Sequence, residues 1–213
     1  MNLPNKLTVL RLIMTPIFMA LLLIPVFTSF NNAMVDIYLN LAGALLFIAA
    51  AVTDLLDGKI ARKHNLITDF GKFLDPLADK FMVIGALLCI FAANAFEGPR
   101  SLAILALVAL IITILRELAI TSIRLVASSS KGVVIAANIL GKIKTVTQIV
   151  SISAFIIEPI LWKFITYIFQ FESRFLINFP PITFISTALA LYFTIHSGLN
   201  YIIGAWKYLD PEK

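Results

Sequence analysis

An all-α membrane protein, a bundle of six spanning helices, is the fold class this sequence predicts. Of its 213 residues 60% are hydrophobic and 14% charged, and its mean hydropathy is +0.97, well above that of a water-soluble domain. Six separate stretches stay apolar for the roughly 20 residues a helix needs to cross the hydrocarbon core. The Lys and Arg residues fall almost entirely at one end of those stretches. The lone cysteine, Cys89, lies in an apolar run, which excludes a disulfide framework or thiolate metal cluster and marks a small buried hydrophobe. A formal charge of +5 fits cytoplasmic loops, anionic lipid and an anionic substrate. Nothing in the chain has the form of a nucleic-acid module.

The spans run in order over about 8–27, 35–55, 72–94, 101–126, 133–157 and 182–206. The first carries Lys6 and Arg11 at its start and no small-residue cleavage site after Pro25, so it reads as a retained helix. The second ends, and the third begins, in an acidic run. The fourth holds Arg116, Glu117 and Arg124, the fifth Lys142 and Lys144, and the sixth ends at Trp206, an interface anchor with Tyr208. Breakers separate them at Thr28 to Asn32, Gly58 to Gly71, Asn94 to Pro99 and Ser128 to Gly132. The longer segment from Glu158 to Pro181, with Trp162, Tyr167, Phe169, Phe171 and Phe175, predicts an interfacial helix or re-entrant piece. Residues 1–213 make one membrane domain, with no internal repeat.

Six spans put both termini on one side. Lys6, Arg11, Lys59, Arg62, Lys63, Lys72, Lys80, Arg116, Arg124, Lys131, Lys142, Lys144, Lys207 and Lys213 fall on that side, against Arg100, Lys163 and Arg174 on the other. This asymmetry predicts cytoplasmic termini.

Chemistry concentrates where the second span ends. Asp54 and Asp57 are three residues apart and share a helical face, and Asp75 and Asp79 are four apart at the start of the third span. Four carboxylates in one low-dielectric pocket repel one another, so a positive group belongs among them. A divalent ion meets that need, and all-oxygen ligation selects Mg²⁺ or Mn²⁺ over zinc. Gly58 and Ala61 keep the adjacent surface small for a phosphate-bearing ligand, and Arg62 offers a planar phosphate donor. The plainer alternative makes each aspartate a solvated loop charge paired with Lys59, Arg62, Lys72 or Lys80. Acids grouped within spans are costly and default to functional sites.

The pattern Asp54-x-x-Asp57-Gly58-x-x-Ala61-Arg62, eight residues, Gly71-x-x-x-Asp75-x-x-x-Asp79 resembles the full signature of the CDP-alcohol phosphatidyltransferases, with no position departing. Asn2 to Arg11, Leu115 to Arg124 and Leu140 to Thr145 resemble bacterial members of that family that use glycerol 3-phosphate. The resemblance implies a six-helix fold with a cytoplasm-facing polar cavity in the bacterial cytoplasmic membrane, a homodimer, and two Mg²⁺ or Mn²⁺ ions. Asp54 and Asp75 would touch both ions, Asp57 one and Asp79 the other. Two ions would clamp the diphosphate of CDP-diacylglycerol, and Asp79 would be the general base toward the attacking hydroxyl. Gly58, Ala61, Arg62 and Thr68 would line the CDP portion, with Pro4 and Asn5 closing over it; the alternative for Pro4 and Asn5 is a helix start and cap.

The aspartate signature is silent about the acceptor alcohol. Arg116 and Arg124, about 12 Å apart along a helix, with Lys142 and Lys144 of the next span, suit an anionic acceptor and favour glycerol 3-phosphate, giving phosphatidylglycerophosphate and CMP. One of these cations could instead neutralise Glu117, and Lys144 could snorkel to the interface. His64 reads as solvated and His196 as packed or hydrogen-bonded. A cardiolipin synthase of the same family is the nearest alternative, and a cation transporter the alternative of another class. The transporter reading suffers because the acids sit at one end of the helices.

Overall fold

The computed structural model describes residues 2–28, 33–63, 68–131, 139–169 and 174–206, with the side chains of residues 33, 55–63, 72, 127–131, 167 and 174 outside that description. The described chain is helical almost throughout: α1 Leu3–Thr28, α2 Ala33–Lys63, α3 Asp69–Phe96, α4 Arg100–Lys131, α5 Ile139–Phe169, the short α6 Arg174–Asn178, and α7 Pro181–Ala205. Six segments are long and apolar enough to cross a membrane, so the protein is a multi-pass membrane protein.

The helices alternate in direction. The starts of α1 and α3 meet the end of α2, and the end of α4 meets the start of α5 and the end of α7. Opposite them, the end of α5 meets the start of α7. The helix α1 packs between α2 and α3, and α7 packs between α4 and α5.

Lipid tails are as apolar as leucine, so helices in a bilayer associate through close packing and internal hydrogen bonds. Both are present. Ala44, Ala50, Ala51, Ala86, Ala106 and Ala109 are buried where helices approach, around larger fillers such as Phe18, Phe47, Met82 and Phe155. Phe18 meets Phe47 edge to face, ring centroids 5.6 Å apart. The inward side of α7 is small and hydroxylated, with Thr183, Ser186, Thr187, Thr194 and Ser197 buried. Gln148 donates to Thr113 at 2.9 Å, and the hydroxyls of Ser151 and Thr187 are hydrogen-bonded at 2.8 Å. Cys89 is buried as expected.

Three expectations need correction. The second helix does not break at Gly58 but runs on to Lys63; a single glycine costs a helix only about 1 kcal/mol. The fourth helix does not break at Ser128 but runs on to Lys131, while residues 133–138, the expected opening of the fifth span, lie outside the described residues. The fifth helix does not stop at residue 157 but continues through Glu158 and Pro159 to Phe169, which leaves only α6 and the residues around it to connect with α7. A charged residue followed by proline imitates a helix end in sequence. Here the Glu158 carboxylate has partners: Ile182 N and Trp162 Nε1 donate to one oxygen at 3.1 and 3.3 Å, and Thr183 N and Oγ1 to the other at 2.6 and 2.8 Å. It caps the first turn of α7, whose amides have no partner within that helix, so an acid can remain buried inside the bundle.

Candidate active site

The aspartates are set by three helix ends. Thr68 is the N-cap of α3, and its hydroxyl accepts from Gly71 N at 3.1 Å, which fixes where that helix begins and so the register of Asp75 and Asp79. At the start of α1, Asn2 Oδ1 accepts from Asn5 N at 3.1 Å. The cap is therefore Asn2, with Pro4 and Asn5 in the first helical turn, where proline costs nothing.

From that turn α1 sends three side chains across to the acids. The Asn5 amide donates to Thr68 Oγ1 at 2.9 Å, Thr8 Oγ1 donates to Asp75 Oδ1 at 2.6 Å, and one terminal nitrogen of Arg11 lies 2.9 Å from Asp54 Oδ1 and 2.7 Å from Asp79 Oδ1. Residues three apart lie on neighbouring positions of one helical surface, so Asn5, Thr8 and Arg11 form a polar stripe on an otherwise apolar helix. A Cβ added at Gly71 would stand 2.9 Å from Asn5 Oδ1 and 3.3 Å from Thr68 Oγ1, so a larger residue there would push the Asn5 side chain off Thr68.

Arg11 is completely buried, while the Asp54 and Asp79 side chains keep 21% and 46% of their exposure. The site thus opens on the carboxylate side and is closed behind by α1. Neither Arg11 nor Thr8 belongs to the aspartate signature, and sequence alone gives Arg11 no partner. An arginine five residues beyond the first lysine of an apolar span was the available signal, since a charge there needs a partner.

The cationic residues divide. Arg116 and Lys144 both reach Glu117 Oε1, at 2.6 and 2.7 Å, from α4 and α5. Arg124 is exposed; its Nε donates to Tyr201 Oη at 3.0 Å and its guanidinium lies 5.3 Å from that ring's centroid. Lys142 is exposed near the start of α5. Lys80, next to Asp79, donates to Thr121 at 2.7 Å, and Thr121 donates to the Glu117 carbonyl at 2.7 Å. This links the acidic ends to the Arg116–Glu117–Lys144 group at the same end of the bundle. His196 stacks on Tyr192 and is hydrogen-bonded with Asn200. Gly58, Ala61, Arg62 and the carboxylate of Asp57 lie outside the described side chains, and His64 outside the described residues; the backbone carries Asp57, Gly58, Ala61 and Arg62 on the last turns of α2.

Among the described residues, no three acidic, His or Cys side chains stand grouped as a metal cage. The donor chemistry nonetheless suits a cation. Carboxylates of two different helices converge on one positively charged nitrogen, a third is held a turn away, and every donor is a hard oxygen.

A multi-pass helical bundle with converging aspartates at one end fits a membrane enzyme acting on phosphate groups. The chain belongs to the CDP-alcohol phosphatidyltransferase family, whose model matches residues 1–197. It is 38% identical to the CDP-diacylglycerol–glycerol-3-phosphate 3-phosphatidyltransferase of Bacillus subtilis (strain 168), over 99% of this chain and 98% of that protein. Proteins of the same name from Wigglesworthia glossinidia brevipalpis and Rickettsia felis are 36% and 30% identical, the first over 76% of this chain and 78% of its own length, the second over 97% of both. The protein is therefore a transferase of phospholipid biosynthesis.

Proposed function

We propose that the protein transfers the phosphatidyl group of CDP-diacylglycerol to sn-glycerol 3-phosphate, releasing CMP and forming phosphatidylglycerophosphate. The observation that carries this reading is the convergence of Asp54 and Asp79 on one buried nitrogen, with Asp75 held alongside by Thr8. The names of the relatives support the donor and the acceptor.

In this reading Asp54, Asp57, Asp75 and Asp79 hold two divalent ions, Mg²⁺ or Mn²⁺. Such ions supply charge withdrawal at the diphosphate and stabilisation of departing CMP. The protein's own groups do the rest. Gly58, Ala61, Arg62 and Thr68 line the CDP portion, beside Pro4 and Asn5. The acceptor hydroxyl oxygen attacks the phosphorus that bears the diacylglycerol, the bond from that phosphorus to CMP breaks, and the hydroxyl proton passes to Asp79, the more exposed of the two carboxylates on Arg11. Arg116, Arg124, Lys142 and Lys144 attract the acceptor's phosphate. Glu117 already engages Arg116 and Lys144, so Arg124 and Lys142 are the cations best disposed to meet it. The clustering of Lys and Arg at the aspartate end supports termini on the cytoplasmic side of a bacterial plasma membrane. The working unit is a homodimer, which crosslinking in native membranes would test.

The deciding experiment incubates purified protein with CDP-diacylglycerol, Mn²⁺ and separate acceptors, and follows CMP. Release that requires glycerol 3-phosphate is expected. Release with phosphatidylglycerol instead would make the protein a cardiolipin synthase. Removal of the ion with a chelator should stop the reaction, and metal flux into vesicles without CMP release would favour a transporter.

A further inference from the structure

Arg11 is wholly buried on a helix that crosses the membrane, and a guanidinium keeps its charge in any protein environment. Anions must therefore stay with it. Two of its partners, Asp54 and Asp79, come from different helices, and both are carboxylates assigned above to divalent ions. Two kinds of cation thus have a claim on the same oxygens.

We propose that Arg11 is the internal counter-cation of the aspartate site. In protein without a divalent ion it neutralises Asp54 and Asp79 and keeps them convergent; an entering divalent ion takes over the shared oxygens, and the guanidinium stays beside the same carboxylates as their counter-charge. The site is then preformed before the ion arrives, with Asn5 and Thr8 holding α1 against α3. The proposal rests on the divalent-ion reading given above.

This takeover has a consequence that a purely structural arginine would not share. Without the guanidinium, ion-free protein keeps acids with less compensation and loses stability, whereas the ion-bound form brings its own positive charge and loses less. By linkage the difference between those two losses appears as tighter ion binding. An arginine that only propped the acids in place would act oppositely, since its loss would scatter the ligands and weaken binding.

Purified Arg11→Gln and Arg11→Lys proteins, in detergent, would be titrated with Mn²⁺ and melted in chelator and in saturating Mn²⁺. Arg11→Gln should melt lower than the unsubstituted protein in chelator, recover most of the difference in Mn²⁺, and bind Mn²⁺ about tenfold more tightly. Arg11→Lys, a point charge without the planar fork, should fall between them. Should Arg11→Gln not fold, tighter Mn²⁺ binding by Arg11→Lys is the supporting result. Unchanged or weaker binding by either folded variant overturns the proposal. Absence of Mn²⁺ binding to the unsubstituted protein removes the divalent-ion reading and this inference with it, whereas binding there with no gain in the variants removes this inference alone.

Discussion

The hydroxyl of Thr8 lies 2.6 Å from Asp75 Oδ1, joining the first spanning helix to an acid on the third. A hydrogen bond to a charged group is worth about 1.5–3 kcal/mol. Thr8→Val keeps the side chain's shape and removes the donor, so CMP release should fall at least about tenfold and the melting temperature by a few degrees. Thr8→Ser should restore most of the activity. Near-normal activity in Thr8→Val with a loss in Thr8→Ser would mean that packing, not the hydrogen bond, is what matters at this position.

Asp75→Asn should abolish turnover in a protein that still folds. The amide oxygen can still accept from Thr8, but it carries no charge to hold a divalent ion. Activity near normal, measured as CMP release from well-folded protein, would remove the metal role of this residue.

Arg124→Ala and Lys142→Ala should raise KM for glycerol 3-phosphate several-fold while leaving kcat and the KM for CDP-diacylglycerol close to normal, the pattern of lost ground-state binding. Steady-state kinetics with each substrate varied in turn would decide. A change confined to CDP-diacylglycerol would reassign both residues to the donor.

Glu158→Ala should lower stability by about 1–3 kcal/mol, through loss of the cap on α7 and of the bonds to Thr183. Thermal unfolding measures this. Because Glu158 is at the opposite end of the bundle from the aspartates, the folded fraction should turn over normally; a kinetic defect in correctly folded protein would contradict that separation.

Much of this architecture is legible in the sequence because each level repeats the same message. Hydropathy marks the spans, and acids at fixed spacing mark the site. Local pattern failed where a residue's partner comes from a distant helix. Glu158 looked like the end of a span because the amides that satisfy it belong to residues 182 and 183. Arg116 and Lys144 read either as acceptor ligands or, for one of them, as the counter-charge of Glu117, because sequence does not reveal that both reach that acid. Arg11 counted only as an inner-side charge. Its position three residues after Thr8, itself three after Asn5, sets out a polar stripe, but which acids that stripe meets depends on how α1 docks against α2 and α3.

The pairing of Glu158 with the first turn of α7 also bears on how the protein is made. During synthesis the fifth helix emerges with its acid before residues 182 and 183 exist, and until they arrive only Trp162 of the partners described can bond to it. A lone carboxylate is poorly placed in lipid. The last two long helices should therefore enter the bilayer as a pair, and a chain ended at residue 178 should leave its fifth helix less firmly inserted than the full chain does, as accessibility labelling of Lys163 would register.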